Sequence, residues 1–378
     1  MRKLLLLIAL VASTGMWAAS WNKTIASVNN ADEQAAPCAL TLKSGSSLVA
    51  GTFNQDIDFG AFQITNPDAM TSAFYAIYDK EGNATCGGKI YGKAVITALC
   101  EGETGYAYAA GYASDVIQIA TAEGTKDYGS ESLIDYSFIV KLNTTTGVAE
   151  AVKLIASKAD ADIEATFVYF PETGDIYVHP SKLVYNNGKL YMAATHTGVV
   201  YQVGAAEGDK LADGTYLNVF DFMYMDLAST SLFETDANLQ TTTALTTVSA
   251  TTEAGTHITN TQYNPESFSF DFSGSDLYVV FVGQGDMTVK QGATEKTFNF
   301  ESDGWGSMAH NFVVGYSATG ADNLDWTVFA NAAHDKSYLS DKVADVKAYA
   351  DHALIVGTYY GDKVFGKEDE YDFTEEWK

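Results

Sequence analysis

Arginine is all but missing from this chain. Arg2 is the single one in 378 residues, and lysine and arginine together number 22 against 48 acids, a formal net charge of −26. A surface of that sign repels phosphate backbones and anionic headgroups, which argues against nucleic-acid partners and against electrostatic attachment to membranes. Past Arg2 there is no guanidinium for a bidentate grip on phosphate or carboxylate. Cysteine is scarce too: Cys38, Cys86 and Cys100 are the only three. An odd count permits one bridge, with Cys86 and Cys100 closest in sequence, or three small buried thiols. A zinc site needs more Cys and His at metal spacing, and none is expected. After the first 20 residues no apolar stretch reaches the ~18 that a membrane-spanning helix requires, so no span is expected. The chain also lacks a G-x-S-x-G elbow, a P-loop, an H-E-x-x-H motif and an EF-hand loop. No cofactor and no catalytic residue is therefore assigned.

What is present begins with an export signal. Arg2 and Lys3 form a positive start, Leu4 to Ala12 an apolar run, and Ala18-Ala19-Ser20 a small-residue cleavage site. Residues 1–20 read as a signal peptide and 21–378 as the mature domain, starting at Trp21. Removing Arg2 and Lys3 takes the charge from −26 to about −28. The compartment expected is periplasmic or secreted. Hydrophobic residues make up 47% of the chain, enough to bury a sizeable core.

The main signal is internal repetition. One small-rich segment recurs as LVAGTF (48–53), YAAGYA (108–113), YMAATH (191–196), YVVFVG (278–283) and LIVGTY (354–359). A second, Phe-led segment follows each: FYAIYD (74–79), FIVKLN (138–143), FMYMDL (222–227), FVVGYS (312–317), and YDF (371–373) at the end. Its alternation is that of a strand: Phe138, Val140 and Leu142 share one face, Ile139 and Lys141 the other. Turn residues separate the segments, as in Asp79-Lys80-Glu81-Gly82-Asn83. Gly and Ala weaken an isolated strand, but suit strands that crowd toward a common axis. The fold expected is all-β: a single β-propeller of five large blades with the small-rich segments innermost. Spread over five, the roughly 358 mature residues give about 72 per blade, so long loops or added hairpins are expected, notably in 155–190 and 234–266. Trp21-Asn22-Lys23-Thr24-Ile25 resembles the outer segment Trp326-Thr327-Val328-Phe329, so the N-terminal strand is expected to close the last blade and hide its edge. Residues 339–354, whose Leu339, Val343, Val346 and Tyr349 also fit a helical face, and the Thr-rich 241–252 are read mainly as strand, with a polar insertion the alternative for the latter.

The order of small-rich strand, hairpin, Phe-led strand, Gly turn and Trp-bearing strand resembles the secreted bacterial β-propeller repeat family, of the type found in Bacteroidota. The resemblance rests on LVAGTF with FYAIYD, YAAGYA with FIVKL, LIVGTY, and Trp326 or Trp21; YMAATH and YVVFVG depart by losing the central Gly. It implies a secreted propeller and no single activity.

Candidate ligand-binding residues are Trp305, Asp303 and His196. Trp305 stands between Gly304 and Gly306 in the loop Glu301–His310, where an aromatic face beside Asp303 suits a sugar or peptide. The alternative is an aromatic filling a gap between blades. His196 ends a small-rich strand and either faces a central channel or is a hydrogen-bonded strand end. The D-x-D pairs Asp56/Asp58 and Asp160/Asp162 lack the rest of a Ca²⁺ ligand set and read as solvated loops. The function expected is a non-catalytic binding or scaffold protein of the cell envelope with a protein or glycan partner. Alternatives are a glycan-active hydrolase with carboxylates at the axis and a structural subunit of an envelope assembly.

Overall fold

In a computed structural model of the chain, the described residues are 26–27, 35–158, 176–204, 210–213, 228–250, 267–283, 286–299, 311–320, 323–332, 342–358 and 363–365. Their regular structure is all β, with no helix. It falls into five consecutive antiparallel units.

After β1 (Ala26–Ser27), the first unit contains β2 (Ala35–Thr41), β3 (Ser47–Phe53), the short hairpin β4 (Ile57–Asp58) and β5 (Gln63–Ile64), β6 (Ser72–Tyr78) and β7 (Ala84–Glu101). Strands β2, β3, β6 and the first half of β7 lie side by side in that order. The second half of β7 opens the second unit, followed by β8 (Tyr106–Thr121), β9 (Gly124–Gly129), β10 (Tyr136–Asn143) and β11 (Ala149–Lys158), with β7–β8–β10–β11 as its meander. Gly92, at φ +122°, lies at the register shift between the halves of β7, in a backbone conformation that suits glycine. The third unit has β12 (Val178–Asn186), β13 (Lys189–His196), β14 (Val199–Gln202), β15 (Lys210–Asp213), β16 (Ser229–Asp236) and β17 (Thr242–Ala250), with β12–β13–β16–β17 paired. The fourth has β18 (Phe268–Ser273), β19 (Asp276–Gly283), β20 (Asp286–Gln291), β21 (Thr294–Asn299), β22 (Asn311–Ser317) and β23 (Asp325–Ala332), with β18–β19–β22–β23 paired. The fifth shows β24 (Lys342–Ala348) paired with β25 (Ala353–Thr358), then β26 (Lys363–Phe365).

In the first four units the connection between second and third strands carries a further strand that joins a strand preceding its own unit, and in the fifth β26, which follows the second strand, joins such a strand too. Gln118 and Ile119 of β8 pair with Tyr91 and Ile90 of β7, β14 with β11, β20 with β17, and β26 with β23, all antiparallel. The first such pairings fall at Ile90, Ile155, Thr247 and Ala330, five or six residues after the fourth strands begin at Ala84, Ala149, Thr242 and Asp325. In the first unit the equivalent strand, β4, pairs with β1, Asp58 opposite Ala26.

Successive units pack face to face, because alternate residues of each second strand point toward the next unit. Leu48 and Ala50 share a core with Ala107, Ala109 and Phe138; Tyr108 and Ala110 share one with Met192 and Phe233. Tyr191 and Ala193 meet Phe268 and Phe270, and Val280 meets Val343 and Val346. The same positions in the fifth unit, Leu354 and Val356, are 53% and 51% exposed.

The recurring small-rich segments are all strands, but each is second in its unit, flanked on both edges in the four complete meanders, not innermost as expected. Their small size has a local cause. A Cβ on Gly111 would lie 1.8 Å from the Val95 carbonyl oxygen and 2.7 Å from Cζ of Phe138, its cross-strand partner. A large side chain there would displace a fully buried Phe138, whose burial contributes roughly 2–3 kcal/mol. A second difference concerns the third unit. The strand paired with YMAATH is Ser229–Asp236, whereas FMYMDL (222–227) lies outside the described residues. Residues 342–348 and 242–250 are strands, as read.

Candidate functional site

The first strands of successive units approach one another, and side chains link them into a seam. Cys38 on β2 sits with its sulfur 3.8 Å from the Ile96 carbonyl on β7. Thr97 Oγ1 donates to the Pro180 carbonyl on β12 (2.6 Å). Lys182, also on β12, reaches two units further: Nζ donates to Ser269 Oγ on β18 (3.1 Å), to the Val346 carbonyl on β24 (3.0 Å), and to Asp345. Ser269 Oγ donates in turn to Asp345 Oδ1 (3.1 Å) and accepts from the Val346 N–H (3.2 Å). One residue pair along, Asp271 Oδ2 accepts from the Ala348 N–H (2.9 Å) and pairs with Lys347 (2.8 Å). Polar residues at the middle of these strands break the apolar alternation, and a buried hydroxyl or ammonium needs partners, so the strands are held in mutual register. Burial alone would raise the Asp345 carboxyl, but Lys182, the Val346 N–H and Ser269 outweigh it and hold it below the usual carboxylate range. Asp345 remains 61% exposed at its side chain and Lys182 22%, so the seam presents charge to solvent.

A second set of polar contacts clasps turns. The turn between β10 and β11 docks on the first unit, where Tyr75 Oη donates to the Gly147 carbonyl (2.7 Å). The turn between β16 and β17 docks on the second: Tyr108 Oη donates to the Ala237 carbonyl (2.7 Å), and Lys153 Nζ to Gln240 O (2.6 Å). Lys141 is nearly buried there and pairs with Glu103 (2.6 Å). The turn between β22 and β23 docks on β20 and β21, where Leu324 N–H donates to Gln291 and Lys296 to the Trp326 carbonyl. Glu103 and Asp236 are both pulled below the usual range. Burial opposes this in each case, but the Lys141 contact prevails for Glu103, and N–H and hydroxyl donors from the 238–241 turn prevail for Asp236.

A third cluster spans the second and third units. His179 stacks on Tyr112 (centroids 4.0 Å apart) and lies beside Tyr177 (4.6 Å), with Nε2 4.0 Å from Asp135 Oδ2. Burial pushes its pKa down, and Asp135 offsets only part of this.

Of the expected ligand residues, His196 alone lies among the described residues. Trp305 and Asp303 lie outside the described residues. His196 is fully buried, its Nε2 2.8 Å from Ser231 Oγ, which continues to Thr247 Oγ1 (2.7 Å). This is the hydrogen-bonded strand-end alternative, and a buried ring offers no face to a channel. Asp56 and Asp58 cap turns, accepting from the N–H groups of Asn66 and Gly60 at 2.7 Å each. Cys38, Cys86 and Cys100 are free thiols. Among the described residues no group of three or more His, Cys, Asp or Glu could hold a metal, and no helix is long and apolar enough to cross a membrane. Sequence reading missed the seam, whose members Cys38, Thr97, Lys182, Ser269 and Asp345 share no motif; only the position of polar residues in first strands could have marked it.

No protein-family model matches the chain, and no curated protein is detectably similar to it.

Proposed function

We propose that the chain is an exported, non-catalytic β-propeller that acts as a binding or scaffold protein of the cell envelope, periplasmic or secreted. The five units serve as five blades around one axis, with the first strands and their Lys182–Asp345 seam innermost. The N-terminal strand closes the last blade as its fourth strand. Support for this closure is the pairing of Ala26 with Asp58, five residues after Trp21, which matches the five or six residues between each fourth strand's start and its pairing with the following unit.

One observation carries the non-catalytic reading. Glu103, Asp236 and Asp345, the carboxyls built into the seam and the clasps, are each engaged by an ammonium or by several N–H and hydroxyl donors, which hold them ionised. Glycoside hydrolysis needs one carboxyl kept protonated as the acid, and this pattern favours fixed charges that bind and brace. Trp305 and Asp303 are the proposed contacts for a protein or glycan partner. The test incubates purified mature chain with envelope polysaccharide and follows both retention and release of reducing ends. Retention without release, weakened by Trp305→Ala, is expected. Release of reducing ends abolished by Asp345→Asn would replace this reading with a hydrolase.

A further inference from the structure

The first and second units each receive a turn between third and fourth strands from the unit that follows, while the fourth unit's turn docks on its own β20 and β21. In the second unit two side chains at cross-strand partner positions do this, Tyr108 on β8 and Lys141 on β10. In the fourth unit Tyr278 on β19 holds the position of Tyr108, and its cross-strand partner on β22 is Tyr316. Their rings lie 4.9 Å apart, and Tyr316 is 38% exposed. Asp276 shares the face of Tyr278, two residues along the strand. After burial and Tyr316, Asp276 and Asp351 both push the Tyr278 phenol up, which places their carboxylates near it. The patch is therefore an aromatic pair rimmed by negative charge, and it stands where a fifth-unit turn would dock.

We propose that the Tyr278–Tyr316 patch is the docking site for the mature N-terminal segment, residues 21–25. This rests on the ring closure above: if β1 ends the fourth strand of the fifth blade, that strand begins at Trp21, at the site of the turn. The chemistry is complementary. The segment brings an indole for the two phenols and, once the leader is cleaved, a new α-ammonium at Trp21 together with Lys23, opposite in charge to Asp276 and Asp351. Export processing thus creates the cation that the patch receives.

A double-mutant cycle on the full mature chain tests this, with Trp21→Ala, Tyr316→Ala and both together read as melting temperature at several protein concentrations. Each single change should lower the melting temperature, and the double should lower it little beyond the larger single effect, at every concentration. Additive shifts would overturn the proposal. So would a melting temperature that rises with protein concentration, since the occupant would then be a second copy's segment. Deleting residues 21–29 separates the two levels of the argument. A large drop in melting temperature with an additive cycle removes only the docking site; an unchanged melting curve removes the closure itself and the docking with it.

Discussion

At the scale of single residues, the positions that decide packing are small or polar ones whose reasons lie across the sheet. Gly111 is legible as a repeat residue, yet its cause, the Phe138 ring and the Val95 carbonyl, is a tertiary contact. His179 shows the same limit: nothing around it in the sequence announces the Tyr112 stack or Asp135. Its pKa is depressed in the folded protein, so below the unfolded value of about 6.5 the unfolded chain takes up a proton more readily. Stability is therefore expected to fall as pH drops through that value, while carboxylates held down by partners, such as Asp345, add their loss only near and below pH ~4. Melting curves from pH 8 to 5 should show a decline for the native chain and a flatter profile for His179→Phe, which keeps an aromatic stack. A native-like decline in that variant would assign the acid sensitivity elsewhere.

Among elements, the second strands are the most legible, because their small-rich pattern repeats five times and each copy forms a strand. Phe-led third strands are legible in the first, second and fourth units. In the third unit the pattern misleads, since β16 is not Phe-led and buries the hydroxyls of Ser229, Thr230 and Ser231 ahead of Leu232 and Phe233. Ser229 meets Ser249, and Ser231 meets Thr247 and His196, so side-chain hydrogen bonds satisfy a strand that hydropathy would place in solvent. The added strands between second and third strands follow no repeated sequence and become clear only from their pairing partners. Turn clasps are the elements most open to test. Lys141 is nearly buried between Glu103, Asn238 and the Tyr106 ring. Lys141→Ala leaves Glu103, about a third exposed, without its ammonium. Water at that carboxylate tempers the loss to about 1–3 kcal/mol, against 3–5 for a fully buried pair. Urea titration of the variant measures it, and a change under ~0.5 kcal/mol would show that the turn holds without the clasp.

For the whole molecule, the account turns on a directional stack in which each unit gives one face to its successor. Four successive contacts are made, each with its own core, and the seam of Thr97, Lys182, Ser269 and Asp345 ties the second through fifth first strands. The recurrence of the small-rich strand was visible in the sequence; the order of strands within a unit and the β1–β4 pairing were not, because both depend on contacts between segments distant in the chain. Leu354 and Val356 are the positions where a ring and an open arc differ most. Their counterparts Leu48, Ala50, Tyr108, Ala110, Ala193 and Val280 are fully buried, at 0%. Carbene footprinting of the mature chain, read at Leu354 and Val356 by mass spectrometry, is the most direct measurement. A closed ring predicts labelling as low as at Leu48 and Val280, rising sharply when residues 21–29 are deleted; strong labelling of both residues in the intact chain would contradict it.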